Sequence, residues 1–256
     1  MYQVSPESSQ HDFLQLWDAA KAHLDLQVDG GIRFWLCMWP WPSAIEHHCF
    51  RLGNQIFLIR VVDADGRIEG PGSLASMRAA ARGLRAHFCL LPMKRSRMDG
   101  RWLADRGGWG LVSAQTGQPV DPVALVTEEA VVMTDWEVHH FAVGALSHAL
   151  KEHGRIVTGW HCDPRVFPTI WFSTQSEEQQ WIVVGAARYP KTPSKPRHWR
   201  SIVEQCRANS SRGHFQPVVI SCDSKAEEMI PTQGPLLRGH PLQAFYPEGG
   251  MPSWAE

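Results

Sequence analysis

Histidine, cysteine and acidic side chains that could bind zinc occur close together at two places in the sequence. The first is EHHC at residues 46–49, and the second is HCD at residues 161–163, with His139 and His140 some twenty residues earlier. Structural zinc sites take four ligands from paired motifs such as Cys-x₂₋₄-Cys, and neither cluster has that spacing. Neighbouring residues of a strand also face opposite sides, which disfavours two adjacent histidines on one ion. We therefore predict no metal site and no cofactor.

A thiol nucleophile is a second chemistry that one of these clusters suggests. Cys162 directly follows His161. An activated cysteine needs a base that is itself held in place by a third group, and the sequence shows no such group. Because cysteine is often a small buried side chain, we interpret Cys162 as structural.

Basic side chains near aromatic residues form further candidate sites. The segment MKRSRMDGR (93–101) carries Lys94, Arg95 and Arg97. The segment YPKTPSKPRHWR (189–200) carries Lys191, Lys195, Arg197, Trp199 and Arg200. Such residues suit contacts to a nucleic-acid backbone, with an aromatic ring available for base stacking. The alternative is a solvated loop, and the same two interpretations hold for Arg78, Arg82 and Arg85 on one predicted helical face.

The second basic segment has a predictable shape. Its prolines at 190, 193 and 196 cannot donate ladder hydrogen bonds, so we expect an exposed loop that leads into a helix at about His198.

Composition limits the classes of protein that this chain can represent. It has 256 residues and a net charge of -1, so any attraction to nucleic acid must come from local patches. No apolar run approaches the ~20 residues that a membrane helix needs, and no signal peptide is visible. The six cysteines are scattered without a Cys-x-x-Cys pair, which favours reduced thiols and a cytoplasmic location.

The elements that must position these residues repeat along the chain. In the first half, apolar spacing predicts helices over 12–25 and 73–84 and strands over 32–39, 54–62 and 87–93. In the second half, it predicts helices over 135–154 and 197–209, and the strands RIVTGW, TIWF, WIVVGAA and HFQPVVIS. We interpret each half as α-β-β-β-α-β, although only two strands are assigned between the helices of the first half, and we predict an α/β fold with α+β mixed sheets.

Rare residue types fall at equivalent places in the two halves. An offset of 125 residues pairs His23 with His148, Trp35 with Trp160, Cys37 with Cys162 and Phe57 with Ile182, and an offset of 127 pairs His87-Phe88 with His214-Phe215. We predict an internal duplication, since repeats of this length indicate tandem domains. The predicted boundaries are 1–115 and 135–245 for the two repeats, 116–134 for the connector and 246–256 for a tail.

The order of these elements resembles the PD-(D/E)xK, or restriction-endonuclease-like, core. The resemblance covers 135–222 best and 12–93 more weakly. It implies a nuclease site with an acid on the first helix, an aspartate on the second strand and Glu-x-Lys on the third. In such a site the acids hold Mg²⁺, and the metal and lysine activate water and stabilise charge on the phosphate.

This sequence departs from the family pattern at the positions that bind metal. The aspartate and Glu-x-Lys positions read Thr169, Ala186 and Arg188 in the second half, and Ser43, Val61 and Asp63 in the first. A hydroxyl replaces a metal-binding carboxylate poorly, and an alkyl group cannot replace it. Glu137 and Asp12 remain on the helices, but TDWE (134–137) and SQHD (9–12) read as capping sequences. Asp163 could supply a displaced ligand, although Asp-Pro after a strand is typical of a turn.

A second resemblance concerns biological context. The segments MTDWEVHHFAV, PTIWF, VGAARYP and PLLRG are similar to a group of uncharacterised proteobacterial proteins often carried on mobile elements. Together the resemblances predict a pseudo-nuclease that binds a protein or nucleic-acid partner in a mobile-element or defence context. We predict no membrane association, and a homodimer is an open alternative. The alternative is an active metal-dependent nuclease that uses Glu137, Asp163 and Asp63.

Overall fold

The chain divides into two compact units, Met1–Glu129 and Ala130–Glu256. A computed structural model describes residues 7–36, 47–173, 179–222 and 233–247. Each unit is a mixed α+β structure in which helices pack against one mixed sheet. Residues 116–129, which the sequence assigns to a connector, fall within the first unit, and Val120 and Leu125 pack against its core.

The first unit begins with a helix and ends with short strands. Its elements are α1 (Glu7–Asp25), β1 (Phe34–Trp35), β2 (His48–Leu52), β3 (Gln55–Asp63), α2 (Leu74–Leu84), β4 (His87–Arg95), β5 (Trp102–Ala104) and β6 (Val112–Ser113). The strand order is β1-β2-β3-β4-β5, and β6 pairs with β4. All pairs are antiparallel except β3 with β4.

Helical spacing of apolar residues fixes α1 on this sheet. Phe13, Leu16, Ala20 and Leu24 are buried, and they pack against strand residues that include Phe57. Helix α2 starts at the predicted cap, because the Ser73 hydroxyl accepts a hydrogen bond from the backbone N–H of Ser76 at 3.1 Å.

The second unit repeats this arrangement. Its elements are α3 (Asp135–Glu152), β7 (Ile156–Trp160), β8 (Ile170–Ser173), β9 (Gln180–Arg188), α4 (Trp199–Arg207), β10 (Gly213–Cys222) and β11 (Leu242–Phe245). The strand order is β11-β10-β9-β8-β7. Only β9 with β10 is parallel, as β3 with β4 is in the first unit.

The pairing register of the two sheets matches as well as the strand order. In the first unit one row of paired residues crosses four strands as Trp35, Phe50, Phe57 and His87. In the second unit the row that contains Ile182 runs Trp160, Ile170, Ile182 and His214. Both rows therefore begin with tryptophan and end with histidine, and their members include the pairs that the sequence offsets align.

Several elements differ from the sequence prediction. Strand β2 begins within the EHHC segment, for which no strand was predicted, and β5, β6 and β11 extend the sheets beyond the predicted elements. Residues 37–46, which include Cys37 and Ser43, lie outside the described residues, so the predicted strand 32–39 is seen only as Phe34–Trp35. Across the described ranges, every helix is too short or too polar to cross a membrane.

Candidate functional site

The helix acid Glu137 is buried in a network of charged and polar contacts. It is 3 % exposed, and Arg238, which is also 3 % exposed, forms hydrogen bonds to both of its carboxylate oxygens. Arg238 Nε donates to Glu137 Oε1 at 2.8 Å, and Arg238 Nη2 donates to Oε2 at 3.0 Å. The Oε2 atom also accepts from the backbone N–H of Thr134 at 2.8 Å, which completes the predicted capping box. All these contacts occupy the carboxylate that the nuclease alternative assigns to a metal.

The chain brings Arg238 to Glu137 through backbone pairing that is remote in sequence. The N–H of Met133 donates to the carbonyl of Leu236 at 2.8 Å, and the N–H of Arg238 donates to the carbonyl of Val131 at 2.9 Å. Leu236 is buried beside this pairing. The sequence analysis did not assign a role to Arg238. The only signal for it was its place in the PLLRG segment.

Thr169 and Arg188, which the predicted resemblance aligns with the nuclease aspartate and Glu-x-Lys, make structural contacts. Thr169 is 1 % exposed, and its hydroxyl accepts a hydrogen bond from the backbone N–H of Val184 at 3.1 Å. Arg188 forms an ion pair with Asp135 and donates to the carbonyl of Met133 at 2.7 Å. The third strand is thereby connected to the start of α3.

Asp163 forms a local turn with Arg165. Its Oδ1 accepts from the backbone N–H of Arg165 at 2.9 Å and from Arg165 Nε at 2.8 Å, and its Oδ2 accepts from Arg165 Nη2 at 2.6 Å. These hydrogen bonds hold the pKa of the Asp163 carboxyl below its usual value, although partial burial acts in the opposite direction. The turn expected for Asp-Pro is therefore present.

Asp63 organises the loop that follows β3. Its carboxylate accepts three backbone hydrogen bonds, from Asp65 at 3.0 Å, Arg67 at 2.9 Å and Ile68 at 3.1 Å. The residue is 8 % exposed. A carboxylate with three backbone donors stabilises a turn. This contact set gives Asp63 a structural role within the first unit.

The potential zinc ligands do not converge in the described part of the chain. No group of three histidine, cysteine or acidic residues there has a geometry that could hold a metal ion. His48 is hydrogen-bonded to the carbonyl of Trp17 at 2.9 Å and stacks on that residue's ring at 4.2 Å. Cys162 is fully buried. These residues are packed as parts of the two cores.

Buried histidines are a feature that the sequence did not reveal. Burial lowers the pKa of His47, His48 and His139 to about 4. The charge of the nearby Asp163 raises the pKa of His139, and His161 lowers it further. These imidazoles are therefore neutral at pH 7 and penalise the folded state when they are protonated.

The basic segment of the second unit is exposed, as its prolines predict. Lys191, Lys195, Arg197 and Arg200 are all exposed, and helix α4 begins at Trp199 after the cap residue His198. Trp199 itself is half-buried. Its ring lies 5.7 Å from that of Trp181 and 6.3 Å from that of Phe215, with the Lys195 ammonium 5.5 Å from the ring centre.

The basic segment of the first unit forms the β4–β5 hairpin. Lys94, Arg95 and Arg97 are exposed. Arg95 donates to the carbonyl of Gly100 at 3.1 Å, lies 5.5 Å from the Trp102 ring centre and approaches Asp12 at 3.7 Å. Of the three cations, Arg95 therefore already contacts side-chain and backbone groups of its own unit.

The arginine face of α2 lies beside a cavity that the sequence could not predict. Arg78 and Arg82 are among its lining residues, whereas Arg85 occupies the C-terminal cap of the helix. The cavity has a volume of about 570 Å³.

Comparison with known proteins adds a family match without an activity. Residues 136–248 match a family described as a domain of unknown function (DUF8840). This range lies within the second unit and includes Glu137, Asp163 and Arg238. No curated protein and no solved structure matches the chain.

Proposed function

We propose that this protein is a non-catalytic binding protein built on a degenerate nuclease-like core. The observation that carries the proposal is the state of the three candidate acids. Glu137 is held by Arg238 and Thr134, Asp163 by Arg165, and Asp63 by three backbone N–H groups. Carboxylates that are satisfied in this way have few lone pairs left for Mg²⁺, which prefers several oxygen ligands in near-octahedral geometry.

The exposed cations favour nucleic acid as the partner class. Among the described residues, Lys191, Arg197 and Arg200 have no ion-pair partner, and Lys195 contacts only the ring of Trp199. Cations that are not held in an ion pair are available for phosphate contacts. Trp199 packs in the core cluster of α4, so we assign the contact to the four cations. A protein partner is the second candidate, and the mobile-element or defence context stays a prediction from the resemblance.

Absence of nuclease activity is the first test. Purified protein with Mg²⁺ or Mn²⁺ should cleave DNA and RNA no faster than an Asp63→Asn/Asp163→Asn variant, whose side chains keep their shape. Cleavage that is lost in this variant would support the active-nuclease alternative instead. A functional metal site should also stabilise the fold by about 2.7 kcal/mol at one hundred times its dissociation constant, and we expect no such shift with Mn²⁺.

Salt-dependent binding is the second test. Fluorescence anisotropy should detect binding to DNA or RNA, and each lost phosphate contact should lower the slope of log K against log salt by about 0.9 for duplex DNA. The fourfold alanine variant of Lys191, Lys195, Arg197 and Arg200 should therefore bind more weakly and with a flatter slope.

A matched control separates this segment from general charge. Lys191→Ala/Arg197→Ala leaves the Lys195–Trp199 contact intact, and Lys151→Ala/Arg207→Ala removes the same charge from exposed positions elsewhere in the second unit. Only the first pair should flatten the slope. Equal effects of both pairs would refute the proposed contact, and no binding by the wild type would favour a protein partner.

We also propose that the two units arose by internal duplication. The matching rows from Trp35 to His87 and from Trp160 to His214 support this origin, because a shared fold does not require the same residues at both ends. Related sequences in which the first unit also matches the family of the second would test the proposal.

A further inference from the structure

The cavity of the first unit lies beside helix α2 and strand β4. Its lining residues are Arg78, Ala81, Arg82, Ala86, His87, Phe88, Cys89, Ser113, Gln115 and Val120. Its volume of about 570 Å³ lies within the range of about 300 to 1,000 Å³ typical of small-molecule sites. The cavity is thus large enough for a ligand bigger than an inorganic ion.

Two arginines place uncompensated positive charge at this cavity. Arg78 and Arg82 are four residues apart on α2, so their side chains share one face of the helix. Within the described residues, neither guanidinium has a hydrogen-bond or ion-pair partner. Arg60 of the same unit, in contrast, is held by the carbonyls of Gly70 and Gly72. Like charges at this spacing repel each other, and a bound anion would relieve that repulsion.

The remaining walls combine a polar edge with apolar surface. The Ser113 hydroxyl accepts backbone hydrogen bonds from Gln115 at 3.3 Å and Thr116 at 3.2 Å, so its own O–H can donate to a ligand. Ala81, Ala86, Phe88 and Val120 supply apolar surface. Burial raises the pKa of the Cys89 thiol to about 12, so this wall carries no thiolate that would repel an anion.

We propose that this cavity binds a small organic phosphate monoester. Arg78 and Arg82 hold the phosphate, Ser113 and Gln115 add hydrogen bonds at the polar edge, and the organic body lies against Ala81, Phe88 and Val120. A phosphate monoester carries nearly two negative charges at pH 7, which matches two guanidinium groups better than a single carboxylate does. The planar fork of arginine also suits bidentate contact with phosphate oxygens.

Calorimetry with matched pairs of probes tests the proposal. The probes are AMP, UMP and glucose 6-phosphate, each compared with its unphosphorylated parent, adenosine, uridine or glucose. At least one monoester should bind with a Kd below about 1 mM. Its parent should bind at least about tenfold more weakly, because charge-assisted hydrogen bonds to the phosphate are lost. Inorganic phosphate should compete with the bound monoester.

Variants identify the site of binding. Arg78→Gln and Arg82→Gln should each weaken monoester binding by about 10-fold or more, since each removes a charge-assisted contact. Arg85→Gln removes the same charge from the same helix without altering the cavity lining, and it should change the Kd less than twofold. Gln115→Trp, at an exposed position, should also weaken binding by filling the cavity without a change of charge.

Four results would overturn the proposal. The first is no binding by any monoester, and the second is equal binding by monoesters and their parents. The third is an effect of Arg85→Gln as large as that of Arg82→Gln. A single-stranded oligonucleotide that binds through Arg78 and Arg82 while all monoesters fail would also overturn it, and would assign this face to a nucleic-acid strand. These outcomes do not depend on the basic segment of the second unit.

Discussion

The two units differ on the sheet faces against which α2 and α4 lie. Positions that are equivalent in the strand pairing of the two sheets carry very different side chains there. In the second unit Trp181 precedes Ile182 of the row from Trp160 to His214, and it packs against Trp199 with Gly213 as its strand partner. In the first unit the residues that precede Phe57 and His87 are Ile56 and Ala86, and Ala86 lines the cavity. The same strand topology therefore occurs with a sheet face that a tryptophan side chain fills, in the second unit, and with a sheet face that borders a cavity, in the first.

The difference depends on side-chain volume at a few positions. A Cβ atom at Gly213 would lie 1.9 Å from the Trp181 ring, so the tryptophan fits only beside glycine. Trp181 is also fixed by a hydrogen bond from its Nε1 to the carbonyl of Ser210 at 3.0 Å. Small and large residues thus decide whether the same backbone makes a core or a binding site.

The first helices of the two units are also anchored differently. Helix α3 is held at its N-terminal end by the buried pair of Glu137 and Arg238. Helix α1 is held at its C-terminal end by Asp25, whose carboxylate accepts from Trp35 Nε1 at 3.1 Å and pairs with Lys21 at 2.8 Å in a half-exposed setting. Breaking a buried ion pair lowers the free energy of unfolding far more than breaking an exposed one.

The largest expected effect is a loss of stability in acid that the two units share. The unfolded histidines bind protons near pH 6.5, whereas the buried ones bind them only near pH 4. Stability is therefore unaffected by these groups above pH 6.5 and falls as the pH drops from 6.5 to about 4, by about 3 kcal/mol for each histidine. Each unit contains two such histidines, His47 and His48 in the first and His139 and His214 in the second, so both units should lose stability in acid to a similar extent.

Methionine oxidation in urea at pH 7 and pH 5 can measure this loss of stability in each unit. Met77 and Met93 report on the first unit and Met133 on the second, because all three are buried. His139→Phe should flatten the pH dependence of the second unit, and the exposed His148→Gln should not. A unit whose stability did not change between pH 7 and pH 5 would contradict this prediction.

Loss of the buried pair comes next in size. Arg238→Gln leaves the Glu137 carboxylate buried without its charge partner, and it should lower the free energy of unfolding of the second unit by about 3 to 5 kcal/mol. Urea unfolding followed by Met133 oxidation measures the change. A double-mutant cycle with Glu137→Gln should show strong coupling, and additive effects would show that the pair does not stabilise α3.

An added methyl group beside Trp181 should have a smaller effect. Gly213→Ala should destabilise the second unit by about 1 to 3 kcal/mol, because the new Cβ overpacks a buried ring. Gly144→Ala, in α3, has open space around its Cβ and should stabilise the same unit by up to about 1 kcal/mol. The two substitutions should differ in sign, and a neutral Gly213→Ala would mean that Trp181 can move at little cost.

The smallest effect is expected for the exposed ion pair of Asp163. Arg165 is 79 % exposed at its side chain, so Arg165→Gln should change the free energy of unfolding by less than about 1 kcal/mol. The substitution is the matched control for Arg238→Gln in the same unit. A loss as large as that of Arg238→Gln would remove the distinction between buried and exposed pairs.

Part of the candidate site could be predicted because its signals are local. TDWE contains both partners of the Thr134–Glu137 capping box, and Asp-Pro indicates the turn at Asp163. The prolines that precede His198 likewise indicate an exposed loop before α4. The partner of Glu137 could not be predicted, since Arg238 lies 101 residues away in sequence and no local spacing connects them.

The sequence by itself determined the order of helices and strands and the places where tryptophan and histidine recur in both halves, because apolar periodicity and rare residue types are properties of short segments. Tertiary structure alone decided the added strands β2, β5, β6 and β11, the burial of Glu137 against Arg238, and the cavity beside Arg78 and Arg82. These features depend on which remote segments pair and how much volume their side chains fill, and neither quantity is encoded in local spacing.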